Sequence, residues 1–435
     1  MEYVIKKTSI NRFIQLLLLV AFFIMMNILY PNFLVKHYEY SGFTSDGVTV
    51  LELLIAIVLF GGSLFLLFSI GSSFLRIVSG VFQILFLIPN IILWMHREYT
   101  IIPSLMVLLF IALLSWDMFR IPNLRMPILS IREQSLVFLL LSVIGFIPFA
   151  IIYDFHFDLS LFTFSGAIYE IRKEVSHVNI PFLGYLLSPY VKVLLPMMIA
   201  YYLLHKRYWL GLVGVTLMIL MFTLTPHKSI IFSAVVVLGF ALVKKHDYQF
   251  TLLLSGILVF TLIGTIAASN GELMLNSLMV RRVFFLPAYL NQAYLDFFEG
   301  ENLYYGYSFM SSFFDYPYPF EPASMIGLIY FGEESVNANS GFISDSVINL
   351  GYVGLFFITV LVALMFMFFD SLNISAGFFG LYFLFIFTLL NSGLFTSMLT
   401  HGGFALILFS MIFLNQTAKS TLDNPADNES EYNNS

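Results

Sequence analysis

Apolar residues run for close to a membrane-crossing length at twelve places along this chain, and polar residues gather between these runs. A helix needs about 20 apolar residues to cross the hydrocarbon core. These segments are apolar on every face, which predicts helices and excludes the alternating strands of a β-barrel. They span residues 13–31, 50–71, 74–95, 101–119, 135–153, 184–204, 208–225, 229–243, 249–268, 347–369, 376–394 and 398–414.

Composition points to the same class of protein. Hydrophobic residues make up 59% of the 435-residue chain and charged residues only 11%, with a mean hydropathy of +0.90. Soluble domains carry roughly 25% charged residues. We therefore predict an all-α, polytopic integral membrane protein with about 12 transmembrane helices in a single domain over residues 1–414. Residues 415–435 are polar and predict a disordered tail. The chain has no cysteine, which excludes disulfides and a thiol nucleophile.

Lysine and arginine in the short connections predict the orientation in the membrane. If the N-terminus is cytoplasmic, the basic connections at 120–134, 205–207 and 244–248 are cytoplasmic too, and so is the tail. Two large loops, at about 154–183 and 269–346, then lie on the extracytoplasmic face. Loops carry function more often than spans do, so we expect the active face to be extracytoplasmic.

Basic residues on the outer face are not needed for orientation, which favours another role for them. Arg281 and Arg282 lie in the second large loop, in a segment that predicts an interfacial or re-entrant helix broken at Pro287. Guanidinium groups offer planar donors that match phosphate oxygens, so a lipid-linked phosphate or diphosphate is the favoured ligand. Pairing with nearby acids, or contact with lipid headgroups, is the alternative. Further basic candidates on this face are Arg172, Lys173, Lys192, His227 and Lys228.

Polar residues also gather where the second large loop enters the tenth span. Asp345 and Asn349 are four residues apart and share one face of a helix. Together with Asn337 and Asn339, they provide groups that hydrogen-bond sugar hydroxyls. Asp345 is alternatively a helix cap. Asp345, Glu174 and His177 are candidate general bases. His401 is a lone histidine at the start of the last span, and we expect its role to be structural.

The second large loop contains the run ENLYYGYSFMSSFFDYPYPFEP, which includes Tyr304 and Tyr305. Aromatic rings give flat apolar surfaces with polar edges, which suit packing against sugar faces. The alternative is an aromatic belt at the membrane interface. A concentrated run interrupted by prolines favours a binding groove.

The layout and these motifs resemble the Wzy-type oligosaccharide repeat-unit polymerases, which build O-antigen and capsular polysaccharides. The resemblance covers the hydropathy layout, Arg172, the Arg281–Arg282 region and the 337–354 segment NANSGFISDSVINLGYVG. It implies a polyprenyl-lipid-dependent membrane glycosyltransferase in the bacterial cytoplasmic (inner) membrane. The implied partners are an undecaprenyl-diphosphate-linked oligosaccharide, the lipid bilayer and a candidate chain-length regulator, with no nucleic acid, cofactor or metal.

In the implied reaction a growing glycan leaves undecaprenyl diphosphate and joins the next lipid-linked repeat unit. The fixed cations would be Arg281, Arg282, Arg172 and Lys228. An O-antigen ligase shares the donor and the large late outer loop, so it is the closer alternative. A transporter or flippase of lipid-linked glycans is the more distant one, because few spans carry central charges.

Overall fold

The computed structural model describes residues 2–97, 99–116, 121–122, 130–153, 183–225 and 227–415. Regular structure within these ranges is entirely helical, which confirms the predicted all-α class. A helix occupies the greater part of every predicted apolar segment. In the described part of the chain, seven helices are long and apolar enough to cross a membrane, and six shorter apolar helices accompany them. The protein is therefore a helical membrane protein, while the number of spans and the disordered tail stay predictions.

The helices are numbered in chain order. They are α1 (Glu2–Leu29), α2 (Val50–Ser69), α3 (Ser73–His96), α4 (Ile102–Ser115), α5 (Ile131–Ile152), α6 (Tyr185–Leu204), α7 (Tyr208–Leu224), α8 (Lys228–Ala241), α9 (His246–Ser269), α10 (274–297), α11 (Pro322–Phe331), α12 (Phe342–Ser371), α13 (Ala376–Asn391), α14 (Leu394–Leu399) and α15 (Gly403–Leu414). Two compact units form: residues 1–120, 246–367 and 386–394 make the first, and residues 121–245, 368–385 and 395–435 the second.

Helix α3 is the central element of the first unit, because nearly all of its residues are buried. Phe82 stacks on Phe110 of α4 with ring centroids 4.0 Å apart, and Phe366 of α12 meets Phe82 edge-on. Gly80 lets the ring of Phe250 in α9 lie directly against the α3 backbone, where a Cβ atom would overlap it. Such close packing holds helices together in lipid, where no hydrophobic drive between helices exists.

A π-helical turn directly precedes Pro89 in α3, Pro196 in α6 and Pro287 in α10, and each helix continues through its proline. Pro148 lies inside α5 without such a turn. A proline lacks an N–H group and its ring crowds the preceding turn. A local π turn widens the helix and reassigns the backbone hydrogen bonds. Where a π turn precedes the proline, the residue before that proline donates its N–H to the carbonyl five residues earlier: Ile88 to Gln83, Leu195 to Tyr190, and Leu286 to Arg281.

The predicted break at Pro287 is therefore wrong. Residues 274–297 form one continuous helical element, α10, with the π turn Ser277–Phe285 running directly into Leu286–Phe297. The loop predicted at 269–346 is also largely folded, since it contains α10 and α11. The other large predicted loop, 154–183, lies outside the described residues apart from Leu183.

Helix ends that the sequence places on one side of the membrane meet in the first unit. At the predicted cytoplasmic side, Arg76 of α3 forms an ion pair with Asp247 of α9, with Nη2 and Oδ1 3.1 Å apart. Gln15 of α1 donates to the backbone carbonyl of Asp247 at 2.8 Å. At the predicted outer side, Gln292 of α10 donates to the carbonyl of Thr100, just before α4. The helix ends are thus grouped as the sequence predicts.

The second unit is joined by tyrosines of α6 that reach across to α5. Tyr190 donates to the carbonyl of Ser142 at 2.6 Å, and Tyr202 donates to the carbonyl of Ser135 at 2.6 Å. Tyr201 reaches the side-chain oxygen of Gln134 at 3.0 Å. Hydrogen bonds between membrane helices contribute about 0.6 kcal/mol on average, so three of them, together with ring packing, fix the register of this pair.

Single cysteines measure the predicted sidedness, because the chain has none of its own. Ser311 is exposed in the predicted outer region, and Lys245 is exposed at the predicted cytoplasmic side. We expect a membrane-impermeant maleimide to label Ser311→Cys in intact spheroplasts and Lys245→Cys only after permeabilisation. The reverse labelling pattern would place residues 269–346 in the cytoplasm and contradict the predicted orientation.

Candidate functional site

A buried carboxylate lies at the start of α12 in the first unit. Asp345 is 9% exposed, and two phenol groups from the aromatic segment 298–321 donate to it. Tyr305 Oη is 3.3 Å from Oδ2, and Tyr307 Oη is 3.2 Å from Oδ1. We refer to Asp345, Tyr305, Tyr307 and Asn349 as the Asp345 cluster.

The side chain of Asn349 connects α12 to the aromatic segment within the Asp345 cluster. It lies one helical turn after Asp345 on the same face, as the spacing of four residues predicts. Its amide donates to the Asp345 carbonyl at 2.8 Å and to Tyr307 Oη at 3.2 Å. Its side-chain oxygen accepts from the backbone N–H of Tyr305 at 2.9 Å. The aromatic segment and α12 are thus tied by one side chain.

A kink in α12 supplies two further bonds between these segments. Gly351 has φ +68° and ψ −174°, a conformation open to glycine that interrupts the helix. The carbonyls of Ile348 and Asn349, just before the kink, accept from the backbone N–H groups of Leu303 and Tyr304 at 2.8 and 3.1 Å. The aromatic segment is therefore anchored to α12 through its backbone.

The anchored segment stores backbone strain. Tyr304 and Tyr305 have φ of +45° and +58°, the left-handed region that non-glycine residues rarely adopt. Each such residue costs on the order of 1–3 kcal/mol, and such conformations cluster at functional sites. The bonds from Leu303, Tyr304 and Tyr305 to α12 hold this conformation in place.

Within the described ranges, the charge of Asp345 has no cationic partner. No lysine, arginine or histidine lies within ion-pair distance of it in the ranges that the structure describes. Burial, together with the Asp345 charge itself, raises the pKa of Tyr305 and of Tyr307 above the usual tyrosine value. Both phenols therefore keep the protons that they donate. The carboxylate accepts from hydroxyl and amide groups, so hydrogen bonds, and not a counter-ion, hold it.

Neighbouring elements fix the position of the first turn of α12. Ser344 donates to the side chain of Asn291 in α10 at 2.8 Å. Tyr294, one turn later in α10, donates to the carbonyl of Ala338 at 2.9 Å. A Cβ atom at Gly393 would overlap the Asp345 carboxylate, so glycine there leaves the carboxylate its space.

Exposed rings surround the Asp345 cluster along the aromatic segment. Tyr304 is 44% exposed and stacks on Phe314, and Tyr305 stacks on Phe309, which is 53% exposed. Phe313 is 77% exposed. An apolar ring surface beside a carboxylate, a phenol and an amide matches the two faces of a sugar, which stacks through its C–H face and hydrogen-bonds through its hydroxyls.

Arg281 also carries a charge that no acid balances. It lies in the π turn Ser277–Phe285 with its guanidinium 4.3 Å above the Tyr38 ring centre. Its Nε atom is buried and has no hydrogen-bond partner among the described residues. No carboxylate there comes within ion-pair distance. The guanidinium is thus held by a ring and keeps its other donors for a ligand. Arg282, the next residue, is exposed.

The remaining predicted site residues fall elsewhere. Asn337 and Asn339 are exposed on either side of Ala338, and neither is in the Asp345 cluster. His227 and Lys228 belong to the second unit, at the start of α8. Arg172, Lys173, Glu174 and His177 lie outside the described residues. Sequence patterns do not identify Tyr307 as a partner of Asp345, or Tyr38 as a partner of Arg281. For Tyr307, the signal is its place in the run YYGYSF.

The first unit thus contains a buried carboxylate and a fixed cation. Asp345 is a carboxylate that can accept a proton, and the rings around it form an apolar face. Arg281 is a fixed cation on α10, the helix that also holds the first turn of α12 through Asn291. Ten residues of α10 separate Arg281 from Asn291, which is about 15 Å of helix.

We expect Tyr307→Phe to destabilise the protein, because the buried carboxylate then loses a hydroxyl donor. The free energy of unfolding should fall by about 1–3 kcal/mol. Tyr304→Phe is the matched control, since its ring is exposed and its hydroxyl has no partner among the described residues; it should change stability by less than about 0.5 kcal/mol. Thermal unfolding in detergent measures both, and equal midpoints for the two variants would contradict the bond to Asp345.

No family model matches this chain, and no curated protein or solved structure is similar to it. An assignment of activity therefore rests on the chain's own side chains. Two groups of side chains support an assignment: Asp345 with its hydroxyl and amide partners, and Arg281 over the ring of Tyr38.

Proposed function

We propose that this protein polymerises undecaprenyl-diphosphate-linked oligosaccharide repeat units into a bacterial surface polysaccharide, as a membrane glycosyltransferase. The observation that supports this most strongly is a pair of charges left without counter-ions in the same unit. Arg281 has no acid and Asp345 has no cation among the described residues. Partly or fully buried charges without partners are costly, so a substrate that brings a matching group to each explains both.

The reaction assigned to these groups is a displacement at the anomeric carbon of the donor glycan. The oxygen of an acceptor sugar hydroxyl forms a bond to that carbon, and the bond from the carbon to the diphosphate oxygen breaks. The hydroxyl proton passes to the Asp345 carboxylate. Undecaprenyl diphosphate leaves with the electron pair of the broken bond. Atoms and charge balance without a cofactor.

The cationic role falls to Arg281. Negative charge grows on the diphosphate as it leaves, and fixed donors aimed at that charge lower the barrier. Tyr38 holds the guanidinium in one place, so no side chain has to be ordered at the moment of reaction. Arg282 is exposed and adjacent, and serves as a second phosphate contact.

The exposed rings of the aromatic segment bind sugars in this proposal. Phe309, which stacks on Tyr305, and Tyr304, the residue before Tyr305, present exposed rings next to the Asp345 cluster, and Phe313 is an exposed ring of the same segment. Stacking against the apolar face of a sugar leaves its hydroxyls free to meet Tyr307 and the exposed edge of Asp345, while the fully buried Asn349 positions these two groups. Their arrangement would orient the acceptor hydroxyl, which is the part of catalysis that positioning contributes.

Deletion of the gene tests the proposed function. We expect the surface glycan of the deletion strain to lose its long chains and to keep a single repeat unit, as seen on a gel. Complete loss of attached glycan, with lipid-linked polymer accumulating, would assign the protein as a ligase. Accumulation of lipid-linked repeat units on the cytoplasmic side would assign a flippase. An unchanged glycan would contradict all three.

Substitution of the arginines tests the cationic role. We expect Arg281→Ala and Arg282→Ala each to abolish long polymer while the protein still inserts into the membrane, with Arg281→Ala lowering the rate of polymerisation roughly 100-fold or more. Lys245→Ala is the matched control, an exposed basic residue at the predicted cytoplasmic side, and should keep full chain length. Chain lengths like those of the unmodified protein in both arginine variants would remove the diphosphate role.

A further inference from the structure

A second group of basic and polar side chains converges in the second unit. Lys192 lies in α6 and His401 in the turn between α14 and α15. The ammonium group of Lys192 donates to Nδ1 of His401 at 3.4 Å, and Ser188 Oγ lies 3.4 Å from the same nitrogen. All three side chains are half-buried, so the group remains open to a ligand. We call Lys192, His401 and Ser188 the lysine–histidine site.

Two backbone features bring these side chains together. Lys192 is part of the π turn Tyr190–Leu194, and π turns are frequent at functional sites. Gly402 has φ +90° and lies so close to Pro189 and Val193 that a Cβ atom there would meet both. The chain turns sharply beside α6 at this glycine, which places His401 against Lys192.

Among the residues that the structure describes, no acid balances the charge of Lys192. No carboxylate lies within ion-pair distance of Lys192 or His401 among the described residues. Lysine can only donate, so Nδ1 of His401 accepts and its proton is on Nε2. The neutral histidine then offers an N–H donor, the serine a hydroxyl donor and the lysine an ammonium group. Three donors and one unbalanced positive charge form a site suited to an anion with several acceptor oxygens.

We propose that the lysine–histidine site binds a phosphate group. A phosphate offers acceptor oxygens in several directions, so it satisfies the ammonium, the imidazole N–H and the hydroxyl together. It also supplies the negative charge that the half-buried ammonium lacks. This site is separate from Arg281 and Asp345, which belong to the other unit. It therefore holds whether or not the protein is a polymerase.

Two sources carry this chemistry: the headgroup of an anionic lipid and free phosphate in solution. The sequence predicts that Lys192 and His401 lie near the outer boundary of the membrane, where both are available. Purified full-length protein distinguishes them. Thermal unfolding in maltoside micelles, with sodium phosphate against sodium chloride at equal ionic strength, measures free phosphate. Native mass spectrometry from nanodiscs of phosphatidylcholine, with and without phosphatidylglycerol, counts retained anionic lipid.

We expect one of these probes to bind the unmodified protein, and Lys192→Gln and His401→Gln each to weaken that binding by about tenfold or more. Lys192→Gln removes the positive charge, and His401→Gln replaces the imidazole that Lys192 and Ser188 contact with a flexible amide. Lys192→Arg keeps the positive charge and should retain binding. Lys245→Gln, an exposed lysine of the same unit, is the matched control and should also retain it. Stabilisation by phosphate would identify the free anion, and retention of phosphatidylglycerol alone would identify a lipid.

Two results would overturn the proposal. One is that neither probe binds the unmodified protein. The other is that binding is equal in the unmodified protein, Lys192→Gln and His401→Gln. Because glutamine at position 192 could disturb α6, elution of each variant as a monodisperse peak in size-exclusion chromatography is checked first. Lys192→Arg, with the charge retained, then separates loss of the site from loss of the fold: weak binding in this variant as well, with α6 intact, also counts against the proposal.

Discussion

Hydrocarbon offers no hydrogen-bond partners, so every backbone N–H and C=O group in the membrane must find one within the protein. The described part of this chain meets that constraint with helices alone. The same constraint explains how proline is accommodated: a π turn before Pro89, Pro196 and Pro287 shifts the bonding partner by one residue and keeps each helix continuous. Those widened turns in turn place Arg281 and Lys192, because both residues lie within them. The positions of the two basic sites thus follow from a requirement of the backbone.

Among the described residues, one buried charge at the predicted cytoplasmic side is paired within the protein, whereas three charges at the predicted outer side are not. At the predicted cytoplasmic side, the buried guanidinium of Arg76 has a carboxylate 3.1 Å away in Asp247, and the pair joins two helices. At the predicted outer side, Arg281, Asp345 and Lys192 have no counter-ion among the described residues. An ion pair whose two charges both belong to the protein joins elements of the fold. Charges that are fixed in place and left unbalanced raise the free energy of the protein until a ligand arrives, so they are the groups to associate with binding.

Much of the fold could be predicted from the sequence, because apolar segments of membrane-crossing length have few other conformations available. The pairing of Asp345 with Asn349 was also predictable, since a spacing of four residues places both on one helix face. The break at Pro287 was predicted wrongly. Proline lacks a backbone N–H and crowds the preceding turn, but here that turn is a π turn, which keeps the helix continuous. The hydrogen bond from Tyr307 to Asp345 and the cation–π contact between Arg281 and Tyr38 could not be predicted. They depend on left-handed tyrosines, a kink at Gly351 and the packing of distant segments, none of which has a periodic pattern.

The kink at Gly351 has a consequence for how substrate preference can change. It frees the carbonyls of Ile348 and Asn349, and the aromatic segment is attached to them through the N–H groups of Leu303 and Tyr304. Every amino acid except proline has that N–H group. This backbone part of the attachment therefore does not depend on the side chains at positions 303 and 304. Phe309 and Phe313 are exposed. Under the proposed function, exchanging such rings would reshape the surface offered to a sugar while the carboxylate below keeps its place. The scaffold would then separate where a glycan is presented from which glycan is chosen.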